Sequence, residues 1–200
     1  EGWGSEALLD SYNTERHPVF ASTRDHFIAR MIHDDADFTA RFDPSEDKAA
    51  FEAEWQRRAE DGQAEVALYV PNYAGSPIVV GEASANSGAV AEHGHSAMAG
   101  FHLTPQPVGT GAELFTELGQ GFTLIALDAS DEALLGFVAT ADALGVPLKL
   151  IRGGVNDDNA RWGATLILVR PDEYIAWTGD SDAANSPPNS AEVLHRAIGA

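Results

Sequence analysis

Residues 122–127 read FTLIAL, six apolar or small residues without a charge, and they constrain the fold more than any other stretch. A continuous apolar run of this length fits a strand covered on both faces. It is followed by Asp131–Leu144, where Leu134, Leu135, Val138 and Ala141 recur at helical spacing and Gly145 stands as a stop signal. A second apolar strand is predicted at 146–151 and a short helix at 157–162. Two further strands, 166–169 and 174–177, flank Arg170-Pro171-Asp172-Glu173, a turn sequence with Pro at its second position. After a polar loop, Ser190 is expected to cap a last helix with Leu194, Ala197 and Ile198 on one face.

Upstream, 99–108 reads as an extended entry segment and 111–118 as a short helix ended by Gly119. The order from residue 99 is then β-α-β-α-β-α-β-β-α. A strand–helix–strand unit gives a parallel pair, and the hairpin after it gives an antiparallel one. This is the thioredoxin topology, an α/β fold with a mixed sheet.

The first 80 residues follow a different pattern and are read as mainly helical. Val19, Thr23, Phe27 and Met31 form one apolar stripe, and Pro18 is expected to interrupt the helix before it. A second helix is predicted to start at Asp43, with Pro44 and Glu46 in its first turn, and to run to about Glu60 with Phe51 and Trp55 one turn apart. Residues 64–80 read as strands broken by Pro71, Gly75 and Pro77. The small, Gly-rich 81–98 reads as a linker. The expected domains are therefore a helical segment 1–80, a linker 81–98 and a thioredoxin-like domain 99–200.

Thirty-one acids against 12 bases give a formal charge of −19, which repels nucleic-acid backbones and anionic membrane surfaces. No apolar run is long enough to span a bilayer, and the first ten residues lack the pattern of a signal peptide. With no cysteine, disulfides, thiolate catalysis and iron–sulfur ligation are excluded. The expected compartment is the cytoplasm. The missing initiator Met fits a fragment or a processed chain.

Candidate constellations are few. His93, His95 and His102 could hold zinc or copper if their loop folded back, but no carboxylate or thiolate is locked with them. His26 and His33, seven apart, read as solvated. No GxSxG elbow supports a hydrolase triad. Asp157-Asp158-Asn159 reads as a helix cap rather than a calcium loop. Gly119–Gly121 and Gly153-Gly154 lack the third glycine of a dinucleotide fingerprint. Arg170 and Asp172 read as a turn stapled by a local ion pair. No residue is assigned a catalytic, cofactor-binding or metal-binding role.

Residues 8–19, LLDSYNTERHPV, resemble the helix that follows the second flavin-binding motif of phenol-hydroxylase-like, class A FAD-dependent aromatic-ring monooxygenases. PNYAGSPIV (71–79), GFHLTPQPV (100–108), LFTELGQGFTLIALD (114–128) and LVRPDEYIAWTGD (168–180) resemble the same family's C-terminal extension, a thioredoxin-like domain without redox cysteines. The resemblance implies a parent enzyme in which NAD(P)H reduces FAD, and the reduced flavin activates O₂ to hydroxylate an aromatic or polyketide substrate. The GxGxxG unit, the DG motif and the GD motif of that family do not occur here. The segment itself is then expected to be inactive and structural or dimerising, with the N-terminal FAD-binding portion as its partner and no cofactor bound to it alone. The alternative is a free-standing, redox-inactive interaction module, with Trp3, Phe27 and Trp55 marking its interface.

Overall fold

The structure is a computed structural model of the 200-residue chain. It describes residues 2–81, 86–92, 94–105, 114–154, 156, 159–180 and 189–200, without the side chains of 63–65 and 133. The chain divides into two compact units: Glu1–Glu15, Tyr73–Ser87 and Gly94–Ala200 form unit 1, and Arg16–Asn72 with Gly88–His93 forms unit 2. The expected 1–80 segment thus contributes to both.

Unit 1 is built on a four-stranded sheet. Its strands are β3 (Phe122–Leu127), β4 (Leu148–Gly153), β5 (Leu166–Val169) and β6 (Ile175–Gly179), in spatial order β4-β3-β5-β6. β3 and β4 are parallel, with Leu124 opposite Leu150. β5 runs antiparallel to both β3 and β6. The parallel pair is joined by helix α5 (Asp131–Leu144), and helix α6 (Ser190–Ala197) closes the chain. From β3 onward this is the expected thioredoxin order; the entry segment forms no strand among its described residues 99–105, where His102 makes an isolated bridge to Tyr174, and 106–108 lie outside the described residues.

Every residue of β3 is buried because its two faces meet two cores. Phe122, Leu124 and Ala126 join Phe137 of α5 and Leu194 of α6 on one face. Ile125 and Leu127 join Leu103, Leu114 and Trp162 on the other. Each fully buried Leu or Ile here contributes about 1.5–3 kcal/mol. Gly145 ends α5 at φ +66°, with its N–H reaching Asp142 O, as the stop signal predicts. Asn189, not Ser190, caps α6: its side-chain oxygen accepts the Glu192 N–H. β4 lies two residues beyond its expected range, because Pro147 cannot donate to the ladder and its carbonyl instead accepts the Phe122 N–H.

Unit 2 holds the C-terminal part of α1 (Glu6–Thr23) from Arg16 on, a π-helical turn Arg24–Ile28, α2 (Ala29–Arg41), α3 (Lys48–Val66) and a small antiparallel pair, β1 (Tyr69–Asn72) with β2 (Gly88–Val90). Four expectations change here. Pro18 does not interrupt α1, which runs through it. The apolar stripe has a four-residue period, which overshoots the α-helical 3.6 at every step, and the π turn takes up the accumulated slip. The second helix starts at Lys48 and reaches Val66, beyond the expected Glu60. Asp43 instead closes a turn, accepting Ser45 N–H at 2.7 Å and Ser45 Oγ at 2.6 Å, while the Asp47 carboxylate accepts Ala50 N–H. Gly88–Val90, inside the stretch read as a linker, pairs as a strand, its short Ala89 side chain fully buried. Residues 111–113 of the expected short helix and 181–188 of the last loop lie outside the described residues; α4 spans Leu114–Glu117.

Candidate functional site

The β5–β6 hairpin turns at Arg170-Pro171-Asp172-Glu173. Pro171 suits the second position of the turn, and Glu173 takes a left-handed φ of +68°. Glu173 N–H donates to Arg170 O, and Arg170 N–H to Tyr174 O. The geometry fixes Arg170 at the end of β5 with its side chain turned into unit 1, where only 10% of it is exposed.

There the guanidinium meets two carboxylates. Nε donates to Asp172 Oδ1 at 3.0 Å and Nη2 to Asp172 Oδ2 at 2.8 Å. Nη2 also donates to Glu15 Oε2 at 3.0 Å, and Nη1 donates to Glu15 Oε1. Glu15, on α1, has a side chain 5% exposed and also accepts Ser76 Oγ at 2.7 Å. Burial alone would lower the Arg170 pKa, but the Glu15 hydrogen bond and the two carboxylate charges outweigh it and raise it, so the guanidinium is held charged.

An aromatic chain extends from the same node. The Arg170 guanidinium lies 5.7 Å from the Tyr73 ring centre, Tyr73 stacks on Tyr174 at 4.2 Å, and Tyr174 meets His102 edge-on at 5.3 Å. His102 Nε2 stands 3.2 Å from Glu173 Oε2. Gly100 makes this packing possible: at φ +88°, a Cβ there would fall 2.4 Å from Ala74 Cα. Its carbonyl accepts Tyr73 N–H at 2.7 Å, and its N–H donates to Ile175 O. Four separate sequence strings, carrying Glu15, Tyr73 with Ser76, Gly100 with His102, and Arg170 with Asp172, therefore meet at one place. The cluster sets one guanidinium between two carboxylates and, among the described residues, holds no nucleophile–histidine pair, so its chemistry is that of a fixed structural joint.

Arg170 and Asp172 do form the local pair read from the sequence. The link from Arg170 to Glu15, 155 residues away, had no sequence signal beyond an acid on a helix. His102 is committed to Glu173 and to the Phe115 and Tyr174 rings, His95 is exposed, and His93 lies outside the described residues. No group of three or more His, Asp or Glu suited to a metal occurs among the described residues. His26 and His33 are exposed, His33 beside Asp37 at 3.7 Å. The short 3₁₀ turn spans Asn159–Trp162; Asn156 and Asn159 exchange side-chain-to-backbone hydrogen bonds at its start, and Asp157 and Asp158 lie outside the described residues. Of the aromatics expected at an interface, Trp3 packs edge-on against Phe122 and Phe27 against Tyr69, both half-buried; Trp55 is exposed.

In unit 2 a groove of about 840 Å³ opens between α2 and α3, with Phe27, Met31, Phe38 and Val66 among its apolar walls. Arg58 lies over the Phe38 ring at 4.6 Å and pairs with Asp35, joining the two helices.

The Gly153-Gly154 turn does not suit the pyrophosphate of a flavin. The Gly153-Gly154 turn at the end of β4 faces the Asp128 carboxylate, whose Oδ1 lies 3.3 Å from the position of a Cβ on Gly154, so a pyrophosphate there would meet a negative charge. No chemical step is therefore derived through a flavin on these residues.

Residues 96–200, just over half of the chain, match the sequence profile of the family described as aromatic-ring hydroxylase, C-terminal. The FAD-dependent monooxygenase opdD of Penicillium oxalicum is 34% identical over 106 residues, half of this chain and 20% of that protein. The FAD-dependent monooxygenase apdD of Emericella nidulans is 32% identical over 109 residues, 51% of this chain and 17% of that protein. The matched stretch thus spans about a fifth of these relatives. Among solved structures, RebC in a form named for its ligand K252c aligns over 99% of this chain and 36% of its own, at a TM-score of 0.70 and 20% identity. Aklavinone-11 hydroxylase, solved with FAD and aklavinone, aligns over 100% of this chain and 36% of its own, at a TM-score of 0.63 and 22% identity. No helix among the described residues is long and apolar enough to cross a membrane. The chain belongs to the aromatic-ring hydroxylase family, of which it carries the C-terminal domain.

Proposed function

We propose that this chain is the C-terminal portion of a cytoplasmic FAD- and NAD(P)H-dependent monooxygenase that hydroxylates an aromatic or polyketide substrate. The observation that carries the reading is the family match over residues 96–200, supported by two FAD-dependent monooxygenases at 34% and 32% identity. In such a reaction O₂ supplies one oxygen atom to the product and one to water, and NAD(P)H supplies two electrons. The flavin, the nicotinamide and the substrate are held by the portion preceding these residues. Within this chain, residues 1–80 complete the FAD and substrate domain. Residues 99–200, joined to them across 81–98, stabilise the enzyme and help pair its subunits. No residue here is catalytic.

The test is to produce the polypeptide encoded with its upstream sequence and to follow NAD(P)H oxidation with and without aromatic substrates. The expected result is substrate-stimulated oxidation and a product heavier by one oxygen. A folded, extended protein that carries no FAD and leaves NAD(P)H untouched would refute the reading.

A further inference from the structure

Unit 2 is rich in helix and poor in core. Among its described residues only Phe38, Asn72 and Ala89 are buried, and none of those described in the nineteen-residue α3 is. Helices of this length are marginal in water unless an apolar face is covered. Yet unit 2 turns large apolar side chains outward: Phe20 is 70% exposed, Ile32 66% and Val66 70%, with Ile28 and Met31 also more than half exposed.

These residues are ordered. Ile28, Met31 and Ile32 stand at i, i+3 and i+4, so they share one face. Phe20 lies eight residues before Ile28, and the π turn at Arg24–Ile28 takes up about one residue, so Phe20 falls on the same side. The charges along α2 are paired, Arg30 facing Asp34 and Arg41 facing Asp37 within the helix and Asp35 facing Arg58 of α3, so the stripe offers contact area more than charge.

We infer that unit 2 is half of a core, completed when the upstream portion of the same polypeptide packs on the Phe20–Ile28–Met31–Ile32 stripe. The inference rests on the monooxygenase reading, which supplies that portion. Two observations select this occupant over a second copy of the chain. The relatives are about five times as long as the matched stretch, and the solved neighbours hold the same elements within a longer chain.

Hydrogen–deuterium exchange on the 200-residue chain and on the upstream-extended protein tests this. In the isolated chain α2 and α3 should exchange fast while β3 and α5 stay protected; in the extended protein α2 should slow by on the order of 100-fold. The double substitution Met31→Asp with Ile32→Asp should abolish that slowing and leave β3 and α5 protected, which shows that unit 1 still folds. Protection of α2 in the dilute isolated chain equal to that of β3 overturns the inference and leaves the monooxygenase reading standing. So does protection that rises with concentration of the isolated chain, which would assign the face to a second copy, or fast exchange of α2 in a folded extended protein. Slow exchange in an extended protein that holds no FAD upholds the inference and refutes the monooxygenase reading. A gene that encodes nothing upstream refutes both.

Discussion

Arg170 and Glu15 are not equivalent halves of their ion pair, and the asymmetry is measurable. Replacing Arg170 with Met leaves the Glu15 carboxylate, 5% exposed, with the Ser76 hydroxyl as its remaining partner in the node. Breaking a buried pair in this way costs about 3–5 kcal/mol, most of it the uncompensated charge. Replacing Glu15 with Gln removes one charge but leaves Arg170 its two hydrogen bonds to Asp172 and its place over Tyr73, and the amide oxygen can still accept from Ser76. The loss is then that of a charge-assisted hydrogen bond, about 1.5–3 kcal/mol. The double variant Glu15→Met with Arg170→Met leaves no buried charge unpaired and should be more stable than Arg170→Met alone, by about 1–2 kcal/mol. Urea titration read by tryptophan emission reports mainly on unit 1, because Trp3, Trp162 and Trp177 lie there and the fourth tryptophan, Trp55 of unit 2, is already exposed in the folded chain. For a domain with about 5–15 kcal/mol in hand, Arg170→Met should shift the midpoint strongly. Equal costs for the two single variants, or a double variant no more stable than Arg170→Met alone, would refute the reasoning.

Gly100→Ala should destabilise unit 1 by about 2 kcal/mol or more, since its Cβ would lie 2.4 Å from Ala74 Cα at a φ of +88°; thermal unfolding checks it, and an unchanged Tm would contradict it. Glu173→Gly should raise stability by up to about 1 kcal/mol, because the relief at φ +68° exceeds the exposed contact with His102 that is lost; a lower urea midpoint would count against this. Asp43 should titrate below the ordinary aspartate range, held down first by the Ser45 hydroxyl and then by the Ser45 N–H. Its charged form favours the folded turn, so this contribution is complete above the unfolded-state pKa and lost as pH falls through the folded one. An NMR titration of the carboxyl carbon checks it, and Ser45→Ala should move the value upward.

The thioredoxin-like core was legible because its signals are local. FTLIAL needed two covered faces, Gly145 stopped a helix, and the RPDE turn joined two strands. Errors arose where long-range packing overrode a local rule. Pro18 sits inside α1 although an interior proline costs about 3 kcal/mol, so the rest of the helix and its packing outweigh the local rule. Asp43 has the residues of a helix cap but spends its carboxylate on a turn, and Asp47 takes over the capping. Gly88–Val90 looked like linker because small residues hide a strand whose pairing partner is Tyr69–Asn72. The Glu15–Arg170 joint was invisible for a different reason: no periodicity or motif connects positions 155 residues apart, and only the fold brings the family-like strings together.

The central claim is that these residues complete a flavin enzyme. Native mass spectrometry of the upstream-extended polypeptide, followed by denaturation to release any bound small molecule, tests it most directly. The account predicts one FAD per polypeptide. A folded extended protein whose native mass equals that of the polypeptide alone would contradict it.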